Sequence, residues 1–241
     1  MSDWDVTLIS AGTIPMRGDL LAPAGVLPDA ELVSNVVLIQ GDGRVLLVDT
    51  AAGGLDSEWE GARSDLASAL AGVGRAVEDV DTVILTHLDF DHCGAVVDMP
   101  DARVALTRSA AEYARSPECE RSAADVLAAV SDRAVEMADG AEVAPGIRLV
   151  EAPGHRGGHA CVEIDASGGR CVFLADVIHH PSHVEHPDWD HEFDSDPALG
   201  LRTRAEWLHR LAGTGTRCAA SHIDGWGTIE RSGDGYRWQS L

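Results

Sequence analysis

Lysine is absent from the 241 residues, so all 18 basic side chains are arginine, set against 40 Asp and Glu and a formal charge of −22. Such a surface repels the phosphates of nucleic acid, and neither DNA nor RNA is expected as a partner. Acidity of this degree fits adaptation to high salt or a genome rich in Arg, Ala, Asp and Gly codons. No apolar run approaches the length of a membrane span, and Met1-Ser2-Asp3-Trp4-Asp5 lacks the basic and apolar stretches of a secretion signal. A soluble, cytoplasmic protein without a membrane partner is the expectation. The five cysteines (Cys93, Cys119, Cys161, Cys171 and Cys218) are odd in number and show no Cys-x-x-Cys spacing. That argues against a disulfide framework or a zinc knuckle and for free thiols. Cys93 is expected to be a small buried residue supporting a turn.

The length suits one large domain over residues 1–241. Short apolar runs at Val6–Ile9, Val36–Ile39 and Val45–Val48 predict strands, the last two joined through an Asp42-Gly43 hairpin turn. The Gly-, Pro- and Ala-rich stretch Ala11–Ser34 is long for a connector and is a candidate rim for a substrate mouth. Ser57-Glu58-Trp59-Glu60 reads as a capping box for a helix carrying Trp59, Leu66, Leu70 and Val73. Strands are expected at Val83–Leu85 and Val104–Leu106, then a helix capped near Ser109 and another over Ser122–Met137. The second half offers strands at Ile147–Val150, Cys161–Ile164 and Cys171–Leu174, a helix after Ser195-Asp196-Pro197, and a closing strand at Arg217–Ala220. Two sheet halves with helices outside predict an α/β fold, a four-layer αββα sandwich with its site along one edge between the sheets.

The chemistry is concentrated after the fourth predicted strand, Val83–Leu85, in Thr86-His87-Leu88-Asp89-Phe90-Asp91-His92-Cys93-Gly94. A strand that ends in His, Asp, Asp and His gathers donors around one point, because side chains two apart share a face and the following turn brings in the rest. Three further donors end apolar runs in the second half: His155 after Ala152-Pro153-Gly154, Asp176 after Val172–Ala175, and His222 after Cys218–Ser221. Strand ends converge on one sheet edge, so distant residues can meet there. Seven donors exceed one tetrahedral ion and suit a pair of ions bridged by a carboxylate.

In its order of motifs the chain resembles the metallo-β-lactamase superfamily: His-x-His-x-Asp-His, a Pro-Gly-His turn, a bridging Asp and a last His. The resemblance implies a dinuclear centre with His87, Asp89 and His155 on the first metal, Asp91, His92 and His222 on the second, and Asp176 between them. It gives Asp49 the role of steadying the site without ligating, and makes His155, not His159, the ligand. Asp89 stands where the family carries its second His. A carboxylate there is harder and negative, which moves preference some way toward iron or manganese, with zinc still favoured for the two divalent ions.

His-Leu-x-Phe-Asp-His and the helix after Arg108 resemble acyl-homoserine lactonases, which carry Tyr three residues past the bridging Asp; here that place holds His179, able to steady an oxyanion or protonate a leaving group. Ser221–Gly227 resembles the branch of lactonases and methyl parathion hydrolase, with Trp226 either lining the pocket or packing in the core. The five histidines of His179–His191 form either a solvated loop or a pocket wall, and the acidic run Asp188–Asp196 reads as a solvated face plus a helix cap. The expected function is a dinuclear hydrolase. A metal-bridging hydroxide, oriented by Asp91 and Asp176 and assisted by His179, attacks a small-molecule substrate. The scarcity of basic groups favours a neutral or weakly charged lactone, ester or phosphotriester. An iron-dependent oxygen-using enzyme and a non-catalytic metal-binding sensor are the alternatives, and a homodimer is left open.

Overall fold

Val36, Val37, Leu38 and Ile39 are all fully buried, as are Leu46, Leu47 and Val48, so these runs are buried on both faces of a sheet. The computed structural model describes residues 4–53 and 59–241. Among them, one sheet holds β1 (Asp5–Met16), β2 (Ala30–Gly41), β3 (Arg44–Val48), β4 (Arg63–Ser64), β5 (Thr82–Ile84), β6 (Arg103–Thr107) and β7 (Ala134–Met137), in the order β4-β1-β2-β3-β5-β6-β7. The other holds β8 (Ala141–Ala144), β9 (Ile147–Glu151), β10 (Ala160–Ala166), β11 (Gly169–Phe173), β12 (Arg217–Ala219), β13 (Gly227–Ser232) and β14 (Gly235–Ser240), in the order β14-β13-β12-β11-β10-β9-β8. The helices are α1 (Leu66–Gly72), α2 (Phe90–Cys93), α3 (Arg108–Arg115), α4 (Arg121–Ala129), α5 (Ser182–Glu185) and α6 (Pro197–Leu211).

The period of two along each strand sorts the core into layers. Val37, Ile39, Leu46, Val48 and Ile84 of the first sheet meet Val162, Ile164, Cys171 and Phe173 of the second in one cluster between the sheets. Their neighbours Val36, Leu38, Leu47, Val83 and Val104 face the other way, onto Leu66, Leu70, Ala110 and Val126 of the first three long helices. Cys161, Val172 and Cys218 pack on Trp207, Leu208 and Leu211 of α6. The result is the expected αββα order. The two sheets are tied at one edge: Asn35 of β2 donates through Nδ2 to the carbonyls of Ala220 (2.9 Å) and Ile223 (2.7 Å), and Ala160 N of β10 donates to Thr86 O (2.9 Å).

Several elements differ from the sequence expectation, each for a local reason. Strand β1 runs on past Ile9 to Met16, bulged between Ser10 and Gly12, because β2 pairs with it out to Met16 opposite Ala30. Only residues 17–29 of the supposed connector remain outside strands, and Ile14 and Met16 supply the pocket wall from β1 itself. Ser57 and Glu58 of the capping box lie outside the described residues. The helix begins at Leu66, where Asp65 accepts from Ser68 N, and Trp59 instead donates its indole N–H to Pro15 O at 2.8 Å. The helix expected through Met137 stops at Ala129; residues 134–137 pair parallel with β6 as an edge strand. Strands β8, β13 and β14 have no counterpart among the expected elements, and β12 is flanked on both sides instead of closing its sheet.

Close backbone approach sets the turn that carries His155. Gly154 lies at φ +130°, and a Cβ there would fall 2.3 Å from Gly200 N at the start of α6. Gly154→Ala is therefore expected to lose about 2–4 kcal/mol, from backbone strain and overpacking together. A lower urea midpoint at unchanged slope would report it. Gly72→Ala, where a Cβ meets nothing within 4 Å, should leave the midpoint in place or raise it.

Candidate metal centre

The strand ends deliver the side chains. Past β5 the chain runs Leu85-Thr86-His87 and then turns through Asp89 into the one-turn helix α2, which carries Asp91 and His92; Cys93, fully buried, donates its thiol to Asp89 O and supports the turn. Asp176 follows β11, His222 follows β12, and His155 sits in the turn between β9 and β10. Asp49, directly after β3, and Ala175, directly before Asp176, have φ of +59° and +47°, a conformation costing L residues about 1–3 kcal/mol and characteristic of sites held by their surroundings.

All seven expected donors come together. Asp176 Oδ2 lies 3.4 Å from His92 Nε2, 3.5 Å from His155 Nε2 and 3.5 Å from His222 Nε2. Asp91 Oδ2 is 3.6 Å from His92 Nε2 and 3.5 Å from His222 Nε2. These match the edges of a coordination shell with bonds of about 2.0–2.1 Å. Two compact triads emerge, His87/His155/Asp176 and Asp91/His92/His222. Asp89 stands slightly apart, its Oδ2 3.8 Å from His87 Nε2 and 3.7 Å from His155 Nε2, with Arg156 Nε at 3.0 Å.

Each ring is anchored by Nδ1 and aims Nε2 inward. His87 Nδ1 meets Thr86 Oγ1 (3.1 Å), whose hydroxyl donates to Asp49 Oδ2 (2.8 Å). His92 Nδ1 lies 2.8 Å from Asp49 Oδ2, His155 Nδ1 3.2 Å from Asp194 Oδ1, and His222 Nδ1 2.9 Å from Val33 O. Acceptors at Nδ1 place the ring proton there and leave Nε2 with its lone pair, the arrangement of metal-ligating histidines. The Nε2 atoms of His87, His92 and His155 and Oδ1 of Asp176 are buried without a hydrogen-bond partner. Buried polar groups are almost always satisfied, so these atoms fit cations at the centre of the cage. The field agrees. Burial alone would lower the pKa of His92, His155 and His222. For His155, bonds to Asp194 and Asp89 win and hold it at about 9. For His92 and His222 the nearby carboxylates, Asp176 first, outweigh burial and raise both.

His159 spends both nitrogens on backbone, Nδ1 donating to Ala152 O (2.8 Å) and Nε2 accepting from Asp176 N (3.1 Å), and burial with the neighbouring His155 holds it down to about 4. His179 is buried with Nε2 3.2 Å from Asp176 Oδ2, and burial pushes its pKa well down, so it sits there as a neutral ring. His179, His183 and His191 form a third cluster. In it His183 donates to Leu21 O (2.8 Å) and accepts from His179 N (3.2 Å), leaving no lone pair for a metal. The segment His179–His191 is thus a wall packed against the centre, with exposed residues such as His186 on its far side. Within the acidic run, Asp196 caps α6 through Leu199 N as expected, while the Asp194 side chain is only 4 % exposed and is a buried anchor for His155. Asp194 and Arg156 were missed by sequence reasoning, since their partners lie 39 and 67 residues away. Trp226 packs against the core between the sheets and does not line the cavity.

Above the cage opens a cavity of about 250 Å³. Its floor is Asp89, Asp91, His155, Asp176 and His222, and its wall is Ile14, Met16, Trp59, Phe90 and Phe193. Arg156 is the one Arg among its lining residues. No helix among the described residues is long and apolar enough to cross a membrane.

Comparison with known proteins follows the same lines. A probable metallo-hydrolase of Mycobacterium tuberculosis is 25 % identical over 181 residues, covering 62 % of this chain; the chain spans 58 % of that relative's length. The solved structure of AidC, a dizinc quorum-quenching lactonase in complex with the product N-hexanoyl-L-homoserine, superposes with a TM-score of 0.89 at 20 % identity, over 100 % of this chain and 95 % of the other. The hydrolase AbOPH superposes at 0.82 with 23 % identity, again over 100 % and 95 %. Residues 29–214 match the family described as the metallo-beta-lactamase superfamily, and with that match over most of its length the chain belongs to this superfamily.

Proposed function

We propose that the chain is a dinuclear metal-dependent hydrolase acting on a small, neutral or weakly charged lactone, ester or phosphotriester. The observation that carries this reading is the set of four histidines, each tied at Nδ1 and each turning Nε2 toward the carboxylates on the floor of a cavity. The names of the relatives support it, one a probable metallo-hydrolase and one a dizinc lactonase.

In this reading His87, Asp89 and His155 hold one cation, Asp91, His92 and His222 the other, and Asp176 lies between. Imidazole with carboxylate suits zinc, and the share of carboxylate keeps iron and manganese in range. Two such cations supply water activation near neutral pH and polarisation of an acyl or phosphoryl oxygen. Everything else falls to the side chains. Asp91 and Asp176 accept hydrogen bonds from the attacking water and so orient it. His179, which lines the cavity, passes the Nε2 hydrogen bond it makes to Asp176 over to the leaving oxygen as bond cleavage builds charge there. Ile14, Met16, Trp59, Phe90 and Phe193 hold the apolar part of the substrate out of water, which fits an acyl or aryl group. With Arg156 already paired to Asp89, little positive charge is free to attract an anionic substrate.

Three outcomes are expected. Hydrolysis across a panel of lactones, aryl esters and phosphotriesters should vanish on treatment with a strong chelator and return with zinc or manganese; undiminished turnover by metal-free protein would end the proposal. His179→Ala should lower kcat about 100-fold with KM little changed, whereas a rise in KM alone would make His179 a binding residue. Asp49→Ala removes the acceptor of Thr86 N, Thr86 Oγ1 and His92 Nδ1. It should cost about 3 kcal/mol or more of stability and weaken metal retention about 10–100-fold, read by thermal denaturation and by metal content after dialysis.

A further inference from the structure

The cage sets three carboxylates, Asp89, Asp91 and Asp176, among its imidazoles, and the arrangement of Asp89 differs from the other two. The Nε of Arg156 sits 3.0 Å from Oδ1 and 3.0 Å from Oδ2, within reach of both oxygens of the carboxylate. The two side chains are similarly enclosed, 16 % and 15 % exposed. The guanidinium is fixed in turn: it donates to His155 O (3.2 Å), to Phe193 O and to Ser195 Oγ (3.4 Å), and lies 3.6 Å from Glu120 Oε1. Because Arg156 directly follows His155, one turn places both a ring of the cage and the cation that grips Asp89.

We propose that Asp89 and Arg156 act as one unit at the first cation position, the guanidinium holding the carboxylate in place and offsetting its charge, so that together they behave as a neutral ligand. The inference rests on the metal-dependent reading above. A carboxylate shared between a guanidinium and a divalent ion donates less to the ion than a free one. The guanidinium also repels the ion directly, since at a few ångströms and low effective dielectric such charges interact strongly. Electrostatics therefore outweighs the looser positioning that follows loss of the Arg. The pair limits how tightly the first cation is held and leaves two net negative charges in the cage against a pair of divalent ions. Arg156 is a positioning residue in this scheme and touches no reacting atom.

The test is zinc titration of the chelator-stripped full chain against a chromophoric competitor, with thermal denaturation as a check on folding. Arg156→Gln is expected to bind the first zinc about tenfold tighter or more, because a repelling charge is gone and the carboxylate is freed. Asp89→Asn should bind it about tenfold looser or more, and the double variant, which restores the net charge, should return close to the wild-type value. A purely structural Arg156 would give the opposite sign for Arg156→Gln. Unchanged or weaker zinc binding by that variant at an unaltered melting temperature overturns the proposal. Should Arg156→Gln fail to fold, Asp89→Asn decides alone: zinc held as tightly as in the wild type would mean that the carboxylate does not serve the first position. Wild-type protein that takes up no zinc sinks the hydrolase reading itself, whereas wild type holding two zinc ions beside an unchanged Arg156→Gln sinks only the pairing.

Discussion

The structure of the site depends on one constraint, that an imidazole presents its second nitrogen to a centre in a fixed direction and tautomer when the first is tied elsewhere. Asp49, Asp194, Val33 O and Thr86 Oγ1 each fix one ring, and they come from quite different places: just past the end of β3, the approach to α6, the body of β2 and the second residue after β5. The fold is arranged to bring these acceptors to one edge. Asp49 serves twice, holding His92 directly and His87 through Thr86, so one buried carboxylate orients a ring in each triad.

That division explains what could be read beforehand. His87, Asp89, Asp91 and His92 are five residues apart at most and follow an apolar strand, so their convergence is a local matter of pleat and turn. His155, Asp176 and His222 also end apolar runs, and the family resemblance sets their order. The acceptors carry no such signal. Asp194 lies in a run of acidic residues that reads as solvated, and only the approach of α6 to the His155 turn buries it; Arg156 looks like any loop arginine until Asp89 is brought beside it from 67 residues away.

Strands buried on both faces, such as β2 and β3, announce themselves as unbroken apolar runs, and so does the hairpin between them. Strands at the margins do not. In β13 and β14, Glu230, Arg231 and Arg237 interrupt any apolar pattern because one face meets water, and β7 follows α4 so closely that its residues extend a helical spacing. What decides these cases is pairing with a neighbouring strand, a long-range event outside the reach of a short window.

The donors of the cage are drawn from both sheets: His87 and His92 from the first, His155, Asp176 and His222 from the second. Asn35 already stitches this seam with two hydrogen bonds. An ion held as proposed, from either half at once, would act as a rivet, bound only while the halves stay closed. Free ion would then add to the folded state in proportion to the logarithm of its concentration over its dissociation constant, and under the proposed function the thermal endurance of this protein would gauge the metal supply around it.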